Sequence, residues 1–236
     1  MRGVNHVRPF IPTDFFFSTC SRLSSLLIGC RRGRLRVLGA VALLAALYLA
    51  AVAPAARAQQ SVFNLDPAQT KIGFTLGATL HTVHGTFRLK SGQIRFDPAT
   101  GAASGAVIVD ATSGESGNDS RDQKMHKEII ESRKYPEIVF TPNHVAGQLT
   151  GLTGGQGRTS ELQVSGTFSL LGRDHDMTIP VSVKAADGPL QVSSRFAIPY
   201  IQWGLKNPNT FVLRVSPIVN IEIQAAGHLS PAPPSQ

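Results

Sequence analysis

The side chains best suited to binding a metal ion in this chain are four histidines, His81, His84, His126 and His175. His81 and His84 are three residues apart, which places them on opposite faces of a strand, so they could share an ion only if the segment turns. His175 lies between two aspartates in a run typical of a turn, where Asp and His are common for backbone reasons. No further ligand is tied to these residues by spacing, and the sequence predicts no metal site.

Covalent catalysis has no sequence signature either. The chain has no Gly-x-Ser-x-Gly motif and no phosphate-binding loop, and its two cysteines, Cys20 and Cys30, precede the part expected to fold. Serine, histidine and aspartate are present without a characteristic spacing. We therefore expect no enzyme activity; a hydrolase that uses His126 or His175 is the less favoured alternative.

The N-terminal segment predicts export. Four arginines between positions 31 and 36 precede an apolar run over residues 37–53, and Ala56 and Ala58 are the small residues that a signal peptidase reads. We expect residues 1–58 to be a leader cleaved near Ala58, which makes the mature chain periplasmic or secreted. A retained membrane anchor is the alternative, because the run is only slightly shorter than the ~20 residues that span a bilayer.

Removal of this leader changes the charge of the chain. Eight of the 23 Lys and Arg residues and one of the 15 acidic residues lie within it, which leaves 15 basic and 14 acidic residues. A nearly neutral mature chain gives no support for nucleic-acid binding, which requires a basic face. Both cysteines also lie in the leader, so the mature chain cannot form a disulfide.

Alternation of apolar and polar residues dominates the remaining chain and predicts β-strands with one buried face. Ile72, Phe74 and Leu76 alternate with polar or small residues, and similar runs recur toward the C-terminus. Gly- and Asp-rich turns between the runs imply antiparallel neighbours. About eight strands are expected, in a sandwich or an up-and-down barrel, and the number of large inward phenylalanines favours the all-β barrel. We expect one domain over residues 59–225 and a disordered Pro-rich tail over residues 226–236.

One segment departs from this alternation. Charged residues cluster over residues 118–133, and the apolar positions Met125, Ile129 and Ile130 follow a helical spacing. Asn118 or Ser120 could cap the start of a helix. The basic side chains of this predicted helix are Arg121, Lys124, His126 and Lys127.

The helix and the strand after it resemble the YceI family. The resemblance is carried by Arg121-Asp122, Ile129-Ile130 and residues 134–140 (KYPEIVF). Residues 64–67 (NLDP), 83–87 (VHGTF) and 164–172 (VSGTFSLLG) are similar to other family segments and follow in the expected order. The resemblance covers nearly the whole mature chain.

This resemblance implies an antiparallel eight-stranded lipocalin-like barrel with one short helix at its rim, whose lumen holds a polyisoprenoid or an isoprenoid quinone without a cofactor. A lipid diphosphate would need donors at the barrel mouth, and Arg121, Lys124 and His126 on the helix could contact it; an ordinary solvated helix face is the alternative. Transient membrane contact and a homodimer are compatible with this interpretation. The residues expected to line the lumen are Ile72, Phe74, Leu76, Phe87, Ile94, Phe96, Met125, Ile129, Ile138, Phe140, Phe168, Leu170, Ile179, Phe196, Ile198, Trp203 and Ile221. The alternative is a structural or stress-related envelope barrel that its own side chains fill.

Overall fold

A computed structural model describes residues 60–79, 81–148, 157–185, 188–209 and 214–232. The predicted leader lies outside these residues. The strands are β1 (Ser61–Leu65), β2 (Lys71–Leu76), β3 (Val83–Phe96), β4 (Ala103–Glu115), β5 (Glu137–Gly147), β6 (Thr159–Leu170), β7 (Arg173–Lys184), β8 (Leu190–Ile198) and β9 (Val219–Pro231). A 3₁₀ turn (Pro67–Gln69) follows β1, and a helix α1 (Asp119–Lys124) with a π-helical turn (Met125–Ile129) follows β4. No helix within the described ranges is long and apolar enough to cross a membrane.

The strands close into a barrel with eight strand positions, and all neighbours are antiparallel. The order around the barrel is β3-β2-β9-β8-β7-β6-β5-β4, and pairing of β4 with β3 closes it. β1 and β2 share one position, because each pairs with both β3 and β9 at successive registers. The 3₁₀ turn divides this position; the Asp66 side chain caps the turn by accepting a hydrogen bond from Ala68 N at 2.9 Å. The predicted eight-stranded antiparallel barrel is confirmed.

The connections define two ends of the barrel. Among the described residues, the helix end contains residues 77–79, 81–82, 116–136, 171–172, 199–209 and 214–218, and the far end contains residues 97–102, 148, 157–158, 185 and 188–189. Successive connections lie at opposite ends of the barrel, because each strand runs antiparallel to its neighbours. The predicted helix therefore borders one end of the barrel.

Two predicted boundaries were wrong. The helix does not reach residue 133: its regular part covers six residues, and Glu131, at φ 44°, reverses the chain while its carbonyl accepts from Lys134 N and Tyr135 N. The C-terminal tail does not begin at residue 226, because β9 continues to Pro231 and pairs with β1 from Leu65↔Gly227 to Ser61↔Pro231. Main-chain pairing with β1 overrides a proline-rich composition there.

Candidate ligand cavity

The barrel encloses a cavity of about 610 Å³. Apolar side chains from all eight strand positions and from the helical segment form most of its lining. Sixteen of the seventeen residues predicted to line the lumen do so; the exception is Trp203. Whether these side chains contact a ligand stays a prediction.

Trp203, in the turn after β8 at the helix end, packs against the core and does not line the cavity. Its ring stacks on His175, with centroids 4.2 Å apart and planes within 3°, and its centroid is 5.5 Å from that of Phe168. The turn after β8 places it there, since Trp203 N donates to Pro199 O at 3.1 Å. Nε2 of His175 is buried beneath this stack and has no hydrogen-bond partner within the described residues.

The inward positions change phase at two β-bulges, and Val145, which follows one of them, is among several lining residues that the prediction omitted. In β3, Phe87 and Leu89 line the cavity at odd positions, and after a register shift between Leu89 and Ser91 the inward positions are even. In β5, a register shift after Pro142 moves the inward positions from even numbers, such as Phe140, to odd numbers, such as Val145. Lining residues that the prediction omitted include Phe63, Leu65, Leu89, Val107, Val109, Val145, Leu162, Val164, Val181, Val183, Val192, Val219, Ile223 and Leu229. Extending the period of two along the full length of each strand, and resetting it at the bulges, would have found most of them.

The cavity is long and narrow. Val83 and Phe96, at opposite ends of the 14-residue strand β3, both line it. At about 3.3 Å per residue and a strand tilt of about 40°, β3 spans roughly 30 Å of the barrel axis. A cavity of this length can hold an extended hydrocarbon chain.

Most of the polar lining residues gather at the helix end, whereas Thr70 and Ser194 lie in the wall. Those at the helix end are His81, Ser116, Asn118, Ser120, Arg121, Lys124 and Tyr200, and most of them are exposed to solvent. At the far end the cavity is bounded by buried apolar side chains such as Phe96, Val145 and Leu162. The cavity therefore reaches solvent at the helix end, where its rim is polar and basic.

A hydrogen-bond network fixes Arg121 at this rim. Its Nε donates to Ser116 Oγ and its Nη2 to Ser116 O, both at 2.7 Å, while Asn118 caps the helix by accepting from Arg121 N at 3.0 Å. The Ser116 hydroxyl donates in turn to Asp122. Burial alone would raise the pKa of Asp122, but hydrogen bonds from the Ser116 hydroxyl and N–H, with the nearby Arg121 guanidinium, hold this pKa below its ordinary value of 3.8. Within the described residues Nη1 of Arg121 makes no hydrogen bond, and Lys124 beside it is exposed.

His126 is absent from the cavity lining, and both of its ring nitrogens are occupied. Nε2 lies 2.7 Å from Gly114 O and Nδ1 lies 2.9 Å from Ser132 Oγ. A carbonyl oxygen only accepts, so Nε2 carries the proton and donates to Gly114. The ring therefore has no unpaired donor in this geometry, and the head-group contact from His126 stays a prediction.

The other histidines that the sequence singled out are dispersed. His81 lies at the rim of the cavity, whereas His84 Nδ1 lies 3.1 Å from Thr75 Oγ1 on an exposed surface. Across the described part of the chain, no three His, Cys, Asp or Glu side chains are grouped so that they could hold a metal ion.

Comparison with known proteins assigns the fold to a family. The family model for the YceI-like domain matches residues 63–226. BcnA from Burkholderia cenocepacia has a similar structure, with a TM-score of 0.54 and 18% identity over 70% of this chain and 99% of that one. A domain from Saccharophagus degradans, described as polyisoprenoid binding and implicated in plant cell wall breakdown, gives a TM-score of 0.54 at 17% identity, over 72% of this chain and 98% of that one. No curated protein sequence matches the chain significantly. The family match spans most of the chain and nearly the whole barrel, and the chain therefore belongs to the YceI-like domain family.

Proposed function

We propose that this protein is a non-enzymatic carrier that encloses the tail of an amphiphilic isoprenoid-type lipid in its barrel, in the cell envelope after removal of the leader. The observation that carries the proposal is a narrow apolar cavity of about 610 Å³ that runs along most of the barrel and ends at a basic rim. Each methylene moved from water into such a lumen contributes about 0.8 kcal/mol. A long tail can therefore supply most of the affinity.

The comparisons support the same ligand class. The chain belongs to the YceI-like family, and a structurally similar domain is described as polyisoprenoid binding. The unoccupied volume inside the barrel favours carriage over a barrel filled by its own side chains. The export of the chain and the formation of a homodimer stay predictions.

Native mass spectrometry of residues 59–236, purified without detergent, tests the proposal. We expect a co-purified hydrophobic mass, or uptake of an added polyprenyl phosphate or isoprenoid quinone. Protein that carries no lipid and takes up neither compound would contradict carriage and support the self-filled barrel. Turnover that disappears when His175 is replaced would instead support an enzyme.

Phe140→Asp and a matched variant test the location of the ligand. Phe140 is buried and lines the cavity, so an aspartate there would place an unpaired carboxylate among apolar side chains and should abolish lipid uptake or unfold the domain. Thr141→Asp introduces the same group on the exposed outer face of β5 and should leave uptake unchanged. Val181→Phe, which enlarges an apolar lining residue, should keep the fold and reduce uptake. Normal uptake by folded Val181→Phe and Phe140→Asp proteins would exclude the lumen as the binding site.

The rim provides donors for an anionic head group. Lys124 and Nη1 of Arg121 are suited to a phosphate, because charge-assisted hydrogen bonds to phosphate oxygens are strong. Lys124→Ala should weaken binding of a polyprenyl phosphate more than binding of the corresponding uncharged polyprenol. Lys127→Ala is the control, since Lys127 lies on the next turn, is exposed and does not line the cavity. Equal effects of the two variants would remove the head-group role from Lys124.

A further inference from the structure

Charge is distributed unevenly between the two ends of the barrel. Among the described residues, the connections of the helix end carry seven basic side chains and four acidic ones. The described connections of the far end carry one of each, Arg158 and Asp97. Within the connections, the positive excess therefore lies at the end where the cavity opens; in the adjoining strands, Arg95 and Lys184 add positive charge near the far end, and Glu115 and Glu137 add negative charge near the helix end.

This excess is available to an external partner. Lys124, Lys127, Arg133 and Lys134 are all exposed. Lys206 and Glu128 form an ion pair at 2.6 Å and neutralise each other, which leaves the excess unchanged. Lys124, Lys127, Arg133 and Lys134 belong to one connection that also contributes Arg121, Met125 and Ile129 to the cavity lining, and they would attract an extended anionic surface.

The same end carries an exposed apolar side chain. Ile218 is 43% exposed, and no other large hydrophobic residue in the described ranges is classed as exposed. It lies immediately before β9, in the connection that forms part of the helix end. Basic side chains and an exposed apolar one at the same end of a domain are a combination that binds an anionic membrane interface.

We infer that the helix end is a membrane-binding face, which places the cavity opening against a bilayer that contains anionic phospholipids. A lipid tail could then pass between bilayer and barrel with little exposure to water. This use of the face rests on the proposed carrier function, whereas binding to the membrane does not require a bound lipid. Each basic side chain near such a surface strengthens binding about fivefold, and salt screens the attraction.

Vesicle flotation tests this inference with residues 59–236, which lack the apolar leader that would itself bind lipid; every strand pairing described lies within this part. Vesicles of phosphatidylcholine with phosphatidylglycerol should bind the protein at low salt, and pure phosphatidylcholine should not. Replacing Lys127, Arg133 and Lys134 with glutamate should weaken binding on the order of a hundredfold. None of the three lines the cavity.

A matched variant changes the same net charge at the far end. Arg95, Arg158 and Lys184 are exposed near that end, and their replacement with glutamate should weaken binding at least tenfold less. Ile218→Ser should reduce binding severalfold and leave its salt dependence unchanged. Equal losses in the two triple variants, or no preference for anionic vesicles, would overturn the assignment of this face.

Uptake of a detergent-dispersed polyprenyl phosphate separates this inference from the carrier function. The triple variant of the helix end should take up the lipid from detergent at the wild-type level and lose only vesicle binding. Vesicle binding without any uptake would reject the carrier and retain the membrane-binding face. Uptake without vesicle binding would retain the carrier function and reject the membrane-binding face.

Discussion

The wall of the cavity consists of apolar side chains that repeat along strands, whereas its rim at the helix end depends on single hydrogen bonds between particular groups. In the wall, residues such as Ile72 and Phe74 stabilise the barrel by burying apolar surface, as the neighbouring wall residues also do. At the rim, Ser116 holds both Arg121 and Asp122, and no second group duplicates it among the described residues. The wall should tolerate exchange between apolar side chains of similar volume, while the rim should respond to loss of single atoms.

Inward glycines are the wall positions at which a larger side chain should not be tolerated. Gly85, Gly114, Gly166 and Gly227 have negative φ, and an added Cβ at each would meet a phenylalanine ring. The absence of a side chain at these positions gives the rings room inside a tightly curved sheet.

The largest expected effect comes from Gly166→Ala. The new Cβ would collide with Thr141 O and lie 2.8 Å from Pro142 Cα and 2.9 Å from Phe140 Cζ, so backbone would have to move. We expect the free energy of unfolding to fall by about 2–4 kcal/mol in urea titrations. Gly73→Ala is the control, because its Cβ would lie 3.8 Å from the nearest atom and should change stability by about 0.5 kcal/mol or less. Similar losses in both variants would show that strand propensity, not ring packing, sets the requirement.

The wall was largely predictable from sequence, because a period of two follows directly from strand geometry. It placed Ile94, Phe168 and Ile221 in the lumen without knowledge of their partners. Val145 escaped prediction because the register shift after Pro142 depends on pairing with β6, where its partner Val164 is 19 residues away in the chain. Local pattern carries no signal for such a register shift.

The rim was predictable only in part. Asn118 was identified as a helix cap because capping is a local effect, and the structure places its side chain there. His126 bonds to Gly114 O, which lies 12 residues away in the sequence, and Trp203 stacks on His175, which lies 28 residues away. Residue type suggested a polar contact for one and burial for the other, but only tertiary structure determines the partner.

His126→Ala should produce the second largest loss of stability. It removes the donor to Gly114 O and the partner of Ser132 Oγ, two groups on buried residues. The cost of leaving such groups unpaired is about 1–3 kcal/mol, to be measured by urea unfolding. His84→Ala provides the comparison, since its contact with Thr75 is exposed and its loss should cost about 0.5 kcal/mol or less. Unchanged stability of His126→Ala would mean that water replaces the ring and that the rim tolerates loss of single groups as the wall does.

The smallest effect concerns the pH dependence that Asp122 gives to the rim. Its folded-state pKa lies below the ordinary value of 3.8, because hydrogen bonds from Ser116 outweigh the effect of burial. Folding therefore gains stability from this carboxylate above pH 3.8, and the gain is lost as the pH falls through the folded-state pKa. Asp122→Asn should be less stable than wild type at neutral pH, and the difference should shrink on acidification below about pH 4. Asp119→Asn, at an exposed neighbouring position, serves as the control in unfolding titrations across this range. A difference between wild type and Asp122→Asn that stays constant with pH would show that Ser116 binds the neutral side chain as well as the charged one, and the rim would then depend on hydrogen-bond geometry alone.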